Sequence, residues 1–217
     1  MGKYSDHLMS SKVVSPDNKI VLIDEKKYIS EKPTTFTFNY NNVATIKQYE
    51  ILDRNGKEPF IIKKNSSHLY NIYDLNDKCL LKFKEGFTDG KLLIEKGENE
   101  EEKLVNIKSR NIISHEYRAE FLNKFTGKDE ILNIHYSTSF TTIGVFYGNE
   151  EEGAPLICRM HLTEKGKTRF LYKGCQYTIE IAPNVDILYL IAVSLFILRK
   201  PIKDDKSDVD LNISLRR

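Results

Sequence analysis

The sequence predicts a mainly β protein with one central helix: a closed antiparallel barrel of about twelve strands wrapped around a buried C-terminal hydrophobic helix. Short β-rich runs separated by turn residues continue from position 34 to position 181, without the helical periodicity that βαβ folds require. One almost wholly apolar stretch follows at residues 185–198. A barrel of more than eight strands leaves a lumen, and a helix about 10 Å wide can fill it.

The apolar stretch is predicted to be a helix over about residues 185–199. From Ile187 onward only Tyr189 and Ser194 carry a polar side-chain atom, so no face of this helix suits water. Asn184 or Asp186 can cap its start, and the proline at position 201 opposes its continuation. At 1.5 Å per residue the stretch spans roughly 21 Å, against about 30 Å for a bilayer core. Length and caps therefore favour a helix enclosed by protein over a membrane span.

The chain has enough material for one domain, with 217 residues of which 40% are hydrophobic. Residues 1–33 are polar apart from a short apolar patch at 20–23, and we expect a loosely attached N-terminal arm. Residues 34–200 should form the barrel and its helix. Residues 201–217 are polar and are predicted to be a disordered tail.

The candidate strands are bounded by turn residues. Phe36 and Phe38 alternate with polar neighbours, which is typical of a half-buried strand. An Asn-Gly pair at 55–56 predicts a hairpin of strands 49–52 and 60–63, and a second hairpin joins 69–73 to 79–84. The other candidate strands are residues 92–95, 104–108, 116–122, 131–136, 140–146, 156–162, 169–172 and 176–181.

The cysteines and the N-terminus indicate a reducing compartment. Cys79, Cys158 and Cys175 are far apart, odd in number and without a Cys-x-x-Cys spacing, so we expect reduced thiols inside strands. The first residues contain no apolar run of the kind that secretory signals need. A cytoplasmic protein is the simplest interpretation.

No motif indicates catalysis. The five histidines are dispersed, and the sequence contains no Gly-x-Ser-x-Gly, no glycine-rich phosphate loop and no His-Glu-x-x-His. We therefore predict no enzyme, no catalytic residue, no cofactor and no metal site. The net charge of +2 does not favour nucleic acid as a partner.

The strongest local signal is a basic segment between positions 156 and 173, where only Glu164 is acidic. Its cations are Arg159, Lys165, Lys167, Arg169 and Lys173. Cations in an exposed turn attract anionic lipid headgroups, each contributing roughly 1 kcal/mol near a membrane surface. A solvated hairpin tip explains the same residues.

A second candidate is the pair Lys82 and Lys84, with Lys78 just before them. Period 2 places Lys82 and Lys84 on one face of a strand, while Leu81 and Phe83 point the other way. Facing outward, the two lysines form a basic ridge. Protection of an edge strand by lysine is the alternative interpretation.

The end of the predicted barrel resembles a known family. Residues 176–186 read Gln-Tyr-Thr-Ile-Glu-Ile-Ala-Pro-Asn-Val-Asp before the apolar helix, similar to the closing motif of the LURP-one-related family. The hairpin that ends in Leu-Leu-Lys-Phe-Lys at 80–84 is also similar. The resemblance covers about residues 34–200 and implies the Tubby C-terminal-like fold, a twelve-stranded barrel around a C-terminal helix that phospholipid scramblases share. Asn184 departs from the family's usual glycine.

The resemblance also implies a class of function. Tubby domains bind phosphoinositides through basic side chains of the barrel wall, so we expect a binding module that contacts anionic lipid at the inner face of the plasma membrane. The alternative is a protein-interaction or regulatory scaffold, related to stress or defence as the family name implies. A scramblase-like membrane protein is less well supported, because no cysteine cluster or calcium loop accompanies the helix. The oligomeric state stays open.

Overall fold

The computed structural model describes residues 3–23, 25–41, 48–66, 69–85, 92–97, 103–111, 116–137, 141–164 and 173–198. The strands are β1 (Thr34–Asn41), β2 (Gln48–Leu52), β3 (Ile61–Lys64), β4 (Leu69–Tyr73), β5 (Cys79–Glu85), β6 (Leu92–Lys96), β7 (Lys103–Asn111), β8 (Glu116–Asn123), β9 (Lys128–Tyr136), β10 (Thr142–Tyr147), β11 (Leu156–Glu164) and β12 (Lys173–Ile181). The helices are α1 (Lys3–Ser10), α2 (Glu25–Tyr28) and α3, described over residues 187–198, with a 3-10 turn at Glu150–Glu152.

The twelve strands form a closed antiparallel barrel. Each pairs with its neighbours in sequence, and β1 pairs with β12 to complete the ring. The predicted fold class is thereby confirmed. The candidate strand at residues 169–172 and the tail at 201–217 lie outside the described residues.

Helix α3 fills the barrel. Every side chain from Leu188 to Leu198 is at most 1% exposed, and all faces of the helix therefore contact protein. Rings of the wall meet rings of the helix: the ring centroids of Tyr117 and Phe196 lie 5.7 Å apart. The inward positions of the strands supply the remaining contacts, as the alternating burial of β8 shows. The helix is thus the centre of the core.

Asp186 begins the helix and is completely buried. Its Oδ1 accepts the backbone N–H of Tyr189 at 3.1 Å, which is the bond of an N-cap residue. Its Oδ2 accepts the N–H groups of Leu22 at 3.2 Å and of Ile23 at 3.1 Å. One carboxylate therefore caps α3 and ties the N-terminal segment to it. Asn184, two residues earlier, has a φ of 63°, a left-handed conformation that asparagine tolerates.

Part of residues 1–33 belongs to the core, namely Ile20, Leu22 and Tyr28, in contrast to the loosely attached arm that the sequence predicts. Ile20 is fully buried and exchanges backbone hydrogen bonds of 2.9 Å with Asn184 and Asp186. Val21 accepts the N–H of Lys124 at 2.8 Å, from the turn between β8 and β9. The apolar patch at 20–23 therefore closes one end of the barrel. Its polar surroundings in sequence concealed this packing, because the partners lie more than 100 residues away.

Helix α1 packs on the outside of the barrel against β10. Leu8 is fully buried in a small cluster with Phe146 and Leu156, separate from the main core. Gly144 makes room for it, since a Cβ at this position would lie 2.8 Å from Leu8 Cδ2. A glycine in the middle of a strand here reflects a close approach by another element.

Arg159 of β11 holds the end of α1. Its Nη1 donates to the carbonyl oxygens of Leu8, Met9 and Ser11 at 2.9 to 3.0 Å. The same guanidinium pairs with Glu180 of β12, with Nη2 and Oε2 2.5 Å apart. A guanidinium at a helix C-terminus satisfies carbonyls that lack intrahelical partners. Arg159 therefore joins α1 to two strands of the barrel.

The capping carboxylate predicts a specific dependence of stability on pH. Burial raises the pKa of Asp186 to about 6, against the lowering effect of its backbone hydrogen bonds. The folded state then binds this proton more tightly than the unfolded state, so the contribution of Asp186 is complete below about pH 4 and is lost as pH rises through 6. Between pH 4.5 and 7.5 we expect the wild type to lose about 2 kcal/mol of unfolding free energy relative to Asp186→Asn.

Urea unfolding of both proteins at the two pH values measures this difference. Asp77→Asn is the matched control, because Asp77 is 73% exposed and its left-handed backbone suits asparagine. The control should keep the wild-type pH dependence. An identical dependence in the wild type and Asp186→Asn would contradict the role of the buried carboxylate.

The clamp on α1 predicts that charge alone cannot replace Arg159. Lysine keeps the positive charge but lacks the planar fork that reaches Glu180 and the carbonyls of α1 together. Arg159→Lys should weaken the docking of α1 by about 1 to 3 kcal/mol, and amide hydrogen exchange over residues 7–11 should accelerate at least about fivefold. Arg54→Lys is the control, because Arg54 makes no contact with α1 among the described hydrogen bonds. Unchanged exchange in Arg159→Lys would refute the clamp.

Candidate functional site

A pocket of about 480 Å³ lies beside Arg159, where α1 ends and where β1, β11 and β12 meet the turn between β2 and β3. We call it the basic pocket. Its cations are Lys12, Arg54 and Arg159, and Glu180 is the one carboxylate among its lining residues. Hydroxyl groups complete the lining, from Ser10, Ser11, Thr34 and Thr35.

A tight turn presents Arg54 to the pocket. The carboxylate of Asp53 accepts the N–H groups of Asn55 at 2.8 Å and of Lys57 at 2.9 Å, and Gly56 takes a left-handed φ of 73°. The hydrogen bond from Lys57 lowers the pKa of Asp53, which keeps this carboxylate ionised as an acceptor. Arg54 Nη2 then donates to Thr35 Oγ1 at 2.9 Å. The turn thus fixes a guanidinium against β1.

The charges of the basic pocket are not all equally available. The side chain of Arg159 is only 13% exposed, and Glu180 neutralises it. Lys12 and Arg54 are exposed and supply the surplus of positive charge at the mouth. The guanidinium of Arg54 and the ammonium of Lys12 suit the oxygen atoms of a phosphate group, whereas three hydroxyls of the lining donate to backbone carbonyls. The arrangement can therefore bind a phosphorylated anion.

Apolar side chains border this pocket on the solvent side. Met9 is 36% exposed and lines the pocket, and Val14 is 41% exposed two residues beyond Lys12. Soluble proteins place single apolar residues on their surface routinely. Here the exposed apolar residues lie before and after Lys12, so the mouth of the pocket combines apolar and positively charged surface.

The other cations of the predicted basic segment are not brought to this pocket by the described structure. Lys165, Lys167 and Arg169 lie outside the described residues, and Lys173 is described by its backbone alone, as the first residue of β12. Arg159 lies five residues before the end of β11, about 17 Å along the strand from the point where the connection to β12 begins. Arg159 is therefore separated from the connection between β11 and β12.

Lys82 and Lys84 face outward from β5, as the period-2 pattern predicts, while Leu81 and Phe83 are buried. Lys84 Nζ lies 3.0 Å from an oxygen of Glu95 on the adjacent strand. Lys82 stands opposite the same Glu95 in the register of β5 and β6. Lys82 and Lys84 thus lie on one outer face, as predicted, but the nearly buried carboxylate of Glu95 offsets part of their positive charge.

Sequence reasoning missed Lys12 and Arg54. Lys12 follows a helix that the sequence does not predict, and the pattern around Arg54 predicts only a hairpin turn. The turn itself was a usable signal, because Arg54 must be exposed there. Its convergence with Arg159 depends on the closure of β1 against β12, which no local pattern reveals.

Three further findings concern the described part of the chain. No helix in it is both long enough and apolar enough to cross a bilayer. No three of its His, Cys, Asp or Glu side chains are grouped as metal ligands would be. The three cysteines are buried in β5, β11 and β12 and are not joined in disulfides, in agreement with the sequence prediction.

Comparisons with known proteins agree with this architecture. A crystal structure of a protein from Arabidopsis thaliana is similar, with a TM-score of 0.57 and 18% identity over 84% of this chain and 98% of that chain. At this identity the likeness shows the fold alone. No curated protein matches the sequence significantly. Residues 34–198 match the LURP-one-related family, from the first residue of β1 to the last described residue of α3. The chain therefore belongs to the LURP-one-related family.

Proposed function

We propose that this chain is a non-catalytic, Tubby-like binding module that docks reversibly on anionic phospholipid, including phosphoinositides, at the cytoplasmic face of a membrane. The observation that carries the proposal is the basic pocket, where Lys12 and Arg54 are exposed at the mouth. A headgroup phosphate would contact these two cations, and Met9 would lie at the boundary between the headgroups and the acyl chains. Arg159 acts in this proposal as the support of the pocket.

Electrostatics sets the expected strength. A cation near an anionic membrane contributes roughly 1 kcal/mol, so Lys12 and Arg54 together supply about 2 kcal/mol. Further cations would add to this value if they met the membrane on the same face of the molecule. They are Lys82, Lys84, Lys173 and the cations at positions 165, 167 and 169. Binding of this kind is weak, reversible and sensitive to salt, because surface charges are screened within about 10 Å at 0.1 M ionic strength.

The alternative is a protein-interaction scaffold without a lipid ligand. A groove on the other side of the barrel, over β6 to β9, favours it. The two functions use different surfaces, so one protein can carry both.

Sedimentation with liposomes tests the lipid proposal. Vesicles of phosphatidylcholine alone are compared with vesicles containing phosphatidylserine or a phosphoinositide, at low and high salt. The wild type should sediment only with the anionic vesicles and should be released by salt. Lys12→Glu with Arg54→Glu should weaken binding at least about tenfold, because two attractions become repulsions.

Three comparisons locate the contact. Lys124→Glu with Lys128→Glu reverses two exposed charges away from the pocket and should bind like the wild type. Lys165→Glu with Lys167→Glu and Arg169→Glu tests the connection between β11 and β12, and Lys82→Glu with Lys84→Glu tests the ridge. If the folded wild type does not sediment with anionic vesicles at low salt, the proposal is overturned. Loss of binding in the ridge or connection variants, but not in the pocket variant, would move the contact to those residues.

A further inference from the structure

A long groove runs over the outer wall of β6 to β9 and has a volume of about 850 Å³. Its floor is formed by outward side chains that include Leu93 and Ile131. Leu122, the penultimate residue of β8, also lines the groove and is 51% exposed. The groove therefore offers an uncovered apolar surface.

A smaller hollow of about 340 Å³ adjoins the groove, and Arg118 and Ile131 line both. Asn133 lies in the wall of this hollow, at an outward position between the inward-facing Leu132 and Ile134. Only 8% of Asn133 is exposed, and among the described residues its Oδ1 accepts no hydrogen bond. A buried acceptor without a donor costs free energy that a bound donor group recovers.

The charge around the groove and the hollow is negative. Five carboxylates of the described lining face two cations: Glu116, Glu120, Asp129, Glu130 and Glu152 against Lys108 and Arg118. Glu120 lies close to both cations, 3.4 Å from Lys108 Nζ and 3.3 Å from Arg118 Nε. Five carboxylates against two cations leave the described lining with a net charge of −3. Glu116, Glu152 and Arg118 are the charged residues of the hollow that contains the unsatisfied acceptor.

We propose that this surface binds a basic, extended peptide segment of a partner protein, with an arginine in the hollow and an apolar side chain in the groove. A guanidinium has only donors, so it suits Asn133 Oδ1 together with the carboxylates of Glu116 and Glu152. In an extended chain, side chains i and i+2 lie on one face about 7 Å apart. The groove and the hollow share Arg118 and Ile131 as wall residues, so they adjoin each other. Two side chains about 7 Å apart can therefore enter one depression each. The site goes beyond lipid docking and does not depend on it.

Fluorescence anisotropy with a labelled probe peptide, Gly-Ser-Leu-Ser-Arg-Ser-Leu-Gly, tests the proposal. We expect saturable binding to the full chain with a Kd below about 1 mM. Replacing the arginine of the probe by citrulline keeps the shape but removes the charge, and should weaken binding at least about tenfold. This comparison needs no change to the protein. Equal binding of the two probes, or no binding up to 1 mM, would overturn the proposal.

Variants of the chain locate the site. Asn133→Leu removes the unpaired acceptor at similar volume, so binding should fall at least about fivefold while the Tm holds or rises. Asp129→Asn with Glu152→Gln removes two charges and should also weaken binding. Glu31→Gln with Glu164→Gln removes two exposed charges elsewhere and should bind like the wild type. If folded Asn133→Leu binds the probe as tightly as the wild type does, the hollow is not the arginine site. If the control pair loses as much binding as Asp129→Asn with Glu152→Gln does, net charge explains the effect and the proposed site is refuted.

Discussion

The complete burial of an apolar helix is the constraint on which the rest of this structure depends. Helix α3 has no face that suits water, so every side of it must meet protein. A sheet closed into a ring satisfies that requirement and leaves no strand of the ring unpaired. The ends of the ring then need their own closure, and the segment around Ile20 provides it at the end where α3 begins. The buried carboxylate of Asp186 joins these two elements, because it caps the helix and accepts N–H groups from that segment.

The sequence predicts those parts of the fold that depend on residues close together in the chain. The all-apolar run, its capping aspartate and the alternation along β5 each depend on residues close together in the chain, and each is found in the structure. The N-terminal segment could not be predicted in the same way. Leu8 and Ile20 lie in short apolar patches within a polar segment, and only their partners on β10 and at position 184 explain their burial. The candidate sites share this limit, since Lys12, Arg54 and Arg159 converge only when the barrel closes.

The two candidate surfaces lie on opposite sides of the barrel. The basic pocket is built around β1 and β12, and the acidic groove around β7 and β8. In the ring of twelve strands, β1 and β7 are separated by six positions in either direction. An anionic membrane that attracts the first surface repels the second. Lipid docking as proposed would therefore turn the acidic groove away from the bilayer, where a basic segment of a partner can reach it.

The position of α3 after all twelve strands has a consequence for synthesis. The strands leave the ribosome before the helix that they enclose, so the growing chain holds an apolar inner face with nothing to cover it. Closure also joins β1 to β12, across more than 130 residues of intervening chain, and pairings of such separation form slowly. Nascent chains of this protein should therefore require chaperone protection until translation passes residue 198, and a ribosome that stalls earlier would release an aggregation-prone wall without its core.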